Sequence, residues 1–216
     1  DLIFVHTFEA REILVSRCKV NKSKIKAIPH GTSEFKSRKD FSRDIIERFG
    51  LKDKNLILYF GYIHTDKGIN YLLEASKILF EENPNLRYNT IILIAGVVRP
   101  RKGIFKVFEK KDKKYFESLI NLQKQLNLDH SVKFVGFIEE EYVYSLFKLA
   151  RIVVMPYTNV EQSGVLNLAL AVHKPVIASN IGGLKETLQN SGVLVPPKNP
   201  RKIADNIKKL ILDKQY

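Results

Sequence analysis

Five short, apolar and largely β-branched runs, separated by stretches with helical spacing, limit what this chain can fold into more than any other feature. The runs are residues 56–60, 91–95, 132–135, 152–155 and 176–178. Continuous apolar strands are typical of parallel sheets that are buried on both faces. The other stretches predict helices at residues 67–82, 113–126, 139–149, 164–172 and 200–212. Because strand and helix alternate, we expect an α/β fold with a doubly wound parallel sheet.

The first part of the chain has a different organisation. Residues 2–5 and 24–28 predict two strands flanking a helix at residues 7–18, a βαβ unit that cannot bury itself alone. The unit ends at Pro29-His30-Gly31-Thr32, and the polar residues that follow have the composition of a linker. We therefore place a domain boundary near Phe35, between residues 1–35 and residues 36–216. Because the sequence opens directly on a strand, we expect it to start within a fold.

The formal net charge of +13, from 36 Lys and Arg against 23 Asp and Glu, indicates either an anionic partner or a requirement for solubility. Such a partner is a nucleic acid, a membrane surface or a phosphate-bearing small molecule, and the composition alone does not distinguish these three. The run at residues 99–114 is rich in Lys and Arg, with Phe105 and Phe108 interleaved, and predicts a long exposed loop. The single cysteine, Cys18, predicts a half-buried helix thiol, which fits a reducing cytosol.

A turn between a strand and a helix holds the first candidate site. Residues 56–60 run into Gly61-Tyr62-Ile63-His64-Thr65-Asp66-Lys67-Gly68, where the two glycines permit a tight turn and a close approach. A lysine in the first turn of a helix is disfavoured by the helix dipole unless an anion is bound there. Lys67 therefore indicates either a diphosphate contact or a lysine extended into water. The spacing does not match a nucleotide-hydrolase phosphate loop.

A second candidate site precedes the predicted helix at residues 164–172. Ser163 is a candidate N-cap, and Gly164 permits close approach to the free amides of the first turn, which predicts a second anion cradle. The carboxylate of Glu161, just before it, either accepts hydrogen bonds from sugar hydroxyls or is placed favourably near the helix dipole.

Together these residues resemble the large retaining glycosyltransferase family 4, the group 1 glycosyl transferases, which have the GT-B fold of two Rossmann-like domains facing a cleft. The resemblance covers essentially the whole chain and rests on seven segments in the family's order. They are Asp1-Leu2-Ile3-Phe4-Val5-His6, Ile28-Pro29-His30-Gly31, Phe60-Gly61-Tyr62-Ile63 with Lys67-Gly68 and Leu72-Leu73-Glu74-Ala75, Val135-Gly136-Phe137-Ile138, Met155-Pro156-Tyr157 with Gln162-Ser163-Gly164-Val165, Lys174-Pro175-Val176-Ile177-Ala178, and Gly182-Gly183-Leu184.

The resemblance implies that residues 36–216 form the C-terminal, donor-binding domain and that residues 1–35 are a remnant of the acceptor domain plus the hinge. It implies a hexosyltransferase that moves a sugar, with retention, from a nucleoside diphosphate sugar to a glycan or lipid-linked acceptor. Lys67 and Glu161 are the implied catalytic residues. The implied donor-binding residues are Gly61, His64, Phe137, Ile138, Gln162, Ser163, Gly164 and Val165.

Further expectations follow from this resemblance. The nucleoside diphosphate sugar is a co-substrate, no cofactor is needed, and the absence of an Asp-x-Asp triplet argues against a metal requirement. We expect a role in polysaccharide biosynthesis, a cytoplasmic location with peripheral contact at the inner face of the membrane, and no nucleic-acid partner. The basic run at residues 99–114 is a candidate for that contact, or else a solvated loop. The chain alone is expected to be inactive, because a GT-B site forms between two domains.

Two departures from the family pattern keep other functions open. Leu168 or Ala169 stands where much of the family has the second glutamate, which holds the ribose hydroxyls, and His64 stands where a related branch has a diphosphate-binding arginine. These departures fit a non-catalytic homologue that only binds a nucleotide sugar. A GT-B sugar-nucleotide epimerase is the other enzymatic alternative. A nucleic-acid-binding module is less favoured, because the basic residues are scattered and no recognition motif is present.

Overall fold

The structure, a computed structural model, describes residues 1–29, 31, 35 and 38–213. Its first unit contains strand β1 (Ile3–Val5), helix α1 (Phe8–Cys18) and strand β2 (Ile25–Ala27), and the two strands pair in parallel. This arrangement confirms the predicted βαβ unit. Helix α1 has no buried residue, so the unit has almost no core of its own. Cys18 is exposed, and the expectation of a half-buried thiol is therefore wrong.

The remaining strands form one parallel sheet, as predicted. They are β3 (Asn55–Phe60), β4 (Thr90–Ala95), β5 (Val132–Gly136), β6 (Ile152–Met155), β7 (Val176–Ser179) and β8 (Val193–Val195), in the spatial order β5-β4-β3-β6-β7-β8. The chain starts at the centre with β3, proceeds to one edge, and then returns to build the other half. The strand order thus reverses between β3 and β6, the place where doubly wound sheets bind their ligands at the strands' carboxyl ends.

Helices cover both faces of this sheet. They are α2 (Ser42–Phe49), α3 (Ile69–Glu82), α4 (Pro84–Asn89), α5 (Lys106–Gln125), α6 (Glu140–Leu149), α7 (Gly164–Ala171), α8 (Gly182–Leu188) and α9 (Pro200–Leu212). The core is the sheet itself: the side chains of Ile57, Leu58 and Leu93 are fully buried. Burial of β3, β4, β6 and β7 on both faces explains why their sequences are continuously apolar.

Two predicted helix starts are wrong. Lys67 ends a short 3₁₀ turn (Thr65–Lys67), and Gly68, with φ of 61°, separates that turn from α3. The left-handed conformation at Gly68 prevents the helix from starting at residue 67. Helix α5 begins at Lys106, so most of the run at residues 99–114 is not the predicted loop. None of the described helices is both long enough and apolar enough to cross a membrane.

Part of the predicted hinge and linker lies outside the described residues, namely His30, residues 32–34 and residues 36–37. The predicted linker extends to Arg43, but helix α2 already begins at Ser42, so the end of that prediction is wrong. Phe35 is described, and its ring packs edge-on against Tyr144 of α6, with ring centres 5.2 Å apart. The domain boundary near Phe35 therefore stays a prediction.

The first unit contacts the rest of the chain through α8. The Glu186 carboxylate of α8 accepts hydrogen bonds from the backbone N–H groups of Phe8 and Glu9, at 2.8 and 2.9 Å.

Candidate functional site

A cavity of about 390 Å³ lies where the strand order reverses, at the carboxyl ends of the central strands. The residues that follow β3, β4, β5 and β6 supply most of its wall. The lining residues are Phe60, Gly61, Tyr62, Lys67, Ala95, Gly96, Val97, Phe137, Ile138, Tyr157, Gln162, Ser163, Gly164 and Val165. Eight of the ten residues that the sequence assigned to the site are therefore brought together in one cavity.

Two glycines after neighbouring strands shape the floor of this cavity. Gly61 has φ of 125°, a conformation that L side chains rarely adopt, and its N–H donates to the Ala95 carbonyl at 2.9 Å. A Cβ on Gly96 would overlap the Gly61 carbonyl oxygen. The two turns can lie this close because Gly96 lacks a side chain, whereas Gly61 is needed for its positive φ.

Lys67 is the cation that lines the cavity. Its Nζ lies 3.7 Å from the ring centre of Tyr157, in cation–π contact. Burial lowers the pKa of Lys67, and the nearby Asp66 opposes this shift. Within the described part of the chain, Lys67 forms no ion pair. A partly desolvated ammonium group without a carboxylate partner would be stabilised by a bound anion.

Tyr157 brings a second polar group to the same place. It is fully buried, and burial raises its pKa to about 12, so it remains a phenol that can donate a hydrogen bond. The hydroxyl of Tyr157 makes no well-formed hydrogen bond among the described residues, although the Ser163 side chain lies near enough to oppose the rise in its pKa. A buried hydroxyl without a partner is costly, and a ligand in the cavity could satisfy it.

Helix α7 points its N-terminus at the cavity. Ser163 is its N-cap residue, as predicted, but the Ser163 side chain makes no capping hydrogen bond, so that part of the prediction is wrong. The first-turn amides of a helix have no partner within the helix. At Gly164, an added Cβ would have no described atom within 4 Å. The open space beside Gly164 is therefore available to a ligand rather than filled by a neighbouring segment.

Phe137 and Ile138 form the wall on the β5 side. Ile138 is buried, whereas 66% of Phe137 is exposed at the rim. Gly136, with φ of 74°, turns the chain out of the strand just before them. An exposed aromatic ring beside a cavity offers a flat apolar surface for a planar ligand group.

His64 does not line the cavity. Its Nδ1 accepts a hydrogen bond from the Asp66 N–H at 3.2 Å, and its Nε2 lies 3.6 Å from a carboxylate oxygen of Asp112. Asp112 is buried on α5 and also accepts a hydrogen bond from the Arg101 guanidinium at 3.2 Å. His64 thus connects the turn after β3 to a buried carboxylate, and its proposed contact with a diphosphate stays a prediction.

Glu161 also lies apart from the donor-side cavity. It lines a neighbouring cavity of about 260 Å³ together with β1, α1 and Gln162, which borders both spaces. The Glu161 carbonyl accepts a hydrogen bond from the Gly183 N–H at 2.9 Å, and a Cβ on Gly183 would overlap that carbonyl. Gly183 therefore fixes the backbone of Glu161 at the seam between the first unit and the sheet. The catalytic role of Glu161 stays a prediction.

Several lining residues were not assigned from the sequence: Phe60, Tyr62, Ala95, Gly96, Val97 and Tyr157. A glycine directly after the buried run at residues 91–95 was the signal that could have identified the second of the two turns.

At the position of the family's second glutamate, Ala169 is fully buried and Leu168 packs against the core. Among residues 1–29, 31, 35 and 38–213, no group of three or more His, Cys, Asp or Glu could hold a metal ion.

Comparison with known proteins gives a consistent result. Residues 41–216 match the family model described as glycosyl transferases group 1. An uncharacterized glycosyltransferase of Methanocaldococcus jannaschii is 33% identical over 74% of this chain and 37% of its own length. The alpha-D-kanosaminyltransferase of Streptomyces kanamyceticus is 27% identical over 79% of this chain and 40% of its own length. The chain thus spans less than half the length of these relatives.

Solved structures agree on the fold. Anabaena Alr3699/HepE, in complex with UDP-glucose, has a TM-score of 0.81 at 19% identity, covering 99% of this chain and 55% of that one. A sucrose-phosphate synthase from Thermosynechococcus elongatus has a TM-score of 0.78 at 26% identity, covering 99% of this chain and 49% of that one. These neighbours have the GT-B fold, and this chain corresponds to their C-terminal domain.

Proposed function

The chain belongs to the group 1 glycosyl transferases, and from this membership we propose that it forms the donor-binding half of a retaining hexosyltransferase. The proposed reaction moves a sugar from a nucleoside diphosphate sugar to a glycan or lipid-linked acceptor. The chain spans less than half the length of its relatives, and we propose that the acceptor-binding part lies outside it. Residues 1–35 are proposed to belong to the acceptor domain and hinge, and residues 36–216 to the donor domain.

The observation that carries this proposal is the convergence of Lys67, Tyr157 and the N-terminus of α7 on one cavity. These groups are a cation without an ion-pair partner in the described chain, a buried hydroxyl without a well-formed hydrogen bond, and a helix N-terminus with open space beside Gly164. Each favours an anion with several oxygen acceptors, and a diphosphate has that chemistry. Anabaena HepE, which shares this fold, has been solved in complex with UDP and with UDP-glucose, and this supports a nucleotide sugar as the ligand.

In the proposed reaction, negative charge develops on the leaving diphosphate as the glycosidic bond breaks. Lys67 and the amides at Gly164 and Val165 lie where they would stabilise this charge, which is electrostatic preorganisation rather than acid catalysis by the protein. Phe137 and Ile138 would contact the nucleobase. Glu161, at the seam, would orient the sugar, and His64 would approach the diphosphate only if it left Asp112. No metal is needed in this scheme.

The isolated chain is proposed to bind the donor without transferring the sugar. In the cell we propose a cytoplasmic enzyme of polysaccharide biosynthesis that contacts the inner face of the membrane peripherally. The test is a calorimetric screen of uridine, guanosine and adenosine diphosphate sugars against the full-length protein, followed by product analysis with acceptor glycans and lipids. Failure of every nucleotide sugar to bind at the cavity would remove the proposal.

A non-catalytic homologue that only binds a nucleotide sugar is the second candidate. Two observations favour it: an apolar residue, Leu168 or Ala169, stands in place of the ribose-binding glutamate, and His64, in place of an arginine, faces the buried Asp112. Donor binding by the full-length protein, with neither transfer nor hydrolysis of the donor, would support this candidate. Turnover with any acceptor would exclude it.

A further inference from the structure

A surface of exposed apolar side chains lies where the chain enters α5. We call it the α5 tip, and it consists of Ile104, Phe105, Val107 and Phe108, which are 83%, 56%, 71% and 51% exposed. Phe105 and Phe108 stack on each other, with ring centres 6.5 Å apart, and the Arg101 guanidinium lies over Phe108. Four large apolar side chains exposed within five residues indicate a binding surface rather than ordinary solvent exposure.

Cations surround this tip. Lys110, Lys111 and Lys114 follow Val107 by three, four and seven residues, so they lie on the same side of α5 as Val107. All three are exposed, and none forms an ion pair with a described residue. The two acidic residues of the segment are already engaged: Glu109 pairs with Lys113, and Asp112 with Arg101. The surface is therefore both apolar and strongly positive.

The tip is also connected to the donor cavity. Val97 lines the cavity, and Val98 forms a parallel bridge with Ile63 in the turn after β3. Arg99 follows directly, with its guanidinium 5.6 Å from the ring centre of Tyr62, another lining residue. The chain then reaches the tip within five residues. The α5 tip is thus joined by a short segment to residues that line the cavity.

We propose that the α5 tip inserts into the interface of an anionic lipid bilayer and so places the donor cavity next to a lipid-linked acceptor. Apolar side chains enter the acyl boundary while a collar of lysines meets the headgroups, which is the combination that holds peripheral proteins on anionic membranes. Ile104 and Val107 have no flat face for base stacking, so a membrane fits the tip better than a nucleic acid. The placement of the acceptor rests on the proposed function, whereas the membrane contact does not.

The first experiment is sedimentation of the full-length protein with vesicles of phosphatidylcholine alone or mixed with phosphatidylglycerol. We expect binding to the anionic vesicles only. The triple variant K110Q/K111Q/K114Q should bind them about a hundredfold more weakly at low salt, since each lysine near an anionic surface contributes about fivefold. The variant I104S/V107S should lose at least tenfold, and it should lose the binding that persists at high salt.

A matched control removes three exposed lysines from α9, in K202Q/K208Q/K209Q, which changes the net charge equally. This control should bind vesicles nearly as well as the wild type. Equal loss in the control and the α5 variant would overturn the proposal, because binding would then follow net charge rather than the tip. Wild-type binding to an RNA oligonucleotide but not to anionic vesicles would also overturn it.

A second measurement asks whether another part of the full-length protein covers the tip. Ile104→Cys is labelled with an environment-sensitive fluorophore in a background where Cys18 and any other cysteine are replaced by serine. We expect emission typical of water that shifts to the blue when anionic vesicles are added. Blue-shifted emission without vesicles that does not change on their addition would show an internal interface and would overturn the proposal. Nucleoside diphosphate binding, measured on the same samples, reports on the proposed function separately.

Discussion

The ammonium group of Lys67 lies 3.7 Å from the ring centre of Tyr157, a buried phenol whose hydroxyl makes no well-formed hydrogen bond in the described chain. The two residues come from different halves of the sheet, Lys67 after β3 and Tyr157 after β6. They are in contact because β3 and β6 are neighbours in the sheet, at the place where the strand order reverses. The site thus brings together a cation and a hydroxyl that an anion would satisfy better than the protein does.

The desolvation of Lys67 predicts a pH dependence. Burial lowers the pKa of Lys67 below its ordinary value of 10.5, so the unfolded chain keeps this proton to higher pH than the folded one. The free energy of unfolding attributable to Lys67 should therefore increase as pH rises from the lowered pKa toward 10.5. Urea unfolding at neutral and at alkaline pH gives the difference in unfolding free energy between the wild type and Lys67→Met, and this difference measures the contribution of Lys67. A difference that stays constant or changes in the opposite direction would refute it.

Removing the hydroxyl of Tyr157 should affect binding but not folding. In Tyr157→Phe the ring and its contact with Lys67 remain, and a buried unsatisfied hydroxyl is lost. The free energy of unfolding should stay unchanged or rise by up to about 1 kcal/mol, while the Kd for a nucleoside diphosphate should rise about three- to tenfold. Thermal unfolding and calorimetry check both effects. Loss of stability together with unchanged affinity would show that the hydroxyl serves the fold and not a ligand.

Two glycines at the site should respond differently to alanine. A Cβ on Gly68, which has φ of 61°, would overlap the Pro156 carbonyl oxygen, whereas a Cβ on Gly164 would meet no described atom within 4 Å. Gly68→Ala should cost roughly 3 kcal/mol or more of unfolding free energy. Gly164→Ala should change stability by less than about 0.5 kcal/mol.

Ligand binding completes this comparison, because Gly164 lines the cavity. The methyl group of Gly164→Ala would occupy the space beside the first-turn amides of α7, so nucleoside diphosphate binding should weaken although the fold is intact. Chemical unfolding and calorimetry on both variants provide the measurement. Tight binding by a stable Gly164→Ala variant would place the diphosphate elsewhere.

The sheet could be predicted from the sequence because burial on both faces leaves a strong signal. The runs that became β3, β4, β5, β6 and β7 are apolar almost throughout, and their positions were predicted to within a residue. Strand β8 was missed, since it has three residues, two of which are only partly buried. Helices α2, α4 and α8 were missed for a related reason: six to eight residues are too few to establish a helical period.

The site could be predicted in part, because its glycines, Lys67 and the residues around Gly164 follow strands directly in the sequence. The contact of Lys67 with Tyr157 could not be predicted, because it depends on which strands lie side by side in the sheet. The interaction of His64 with Asp112, 48 residues later on α5, is a tertiary contact of the same kind. The start of α5 was placed too late because lysine-rich sequence with exposed aromatics lacks the apolar stripe of a core-facing helix.

The central claim is that the cavity beside Lys67 binds the diphosphate of a nucleotide. Calorimetric titration of a nucleoside diphosphate and of the matching nucleoside into the wild type, Lys67→Ala and Lys174→Ala tests it directly. Lys174 is the matched control, a lysine outside the cavity whose pKa burial also lowers.

A charge-assisted phosphate contact is worth roughly 1.5 to 3 kcal/mol, so Lys67→Ala should bind the diphosphate about tenfold or more weakly and the nucleoside about equally. Lys174→Ala should match the wild type for both ligands. Diphosphate binding to Lys67→Ala with wild-type affinity would contradict the account.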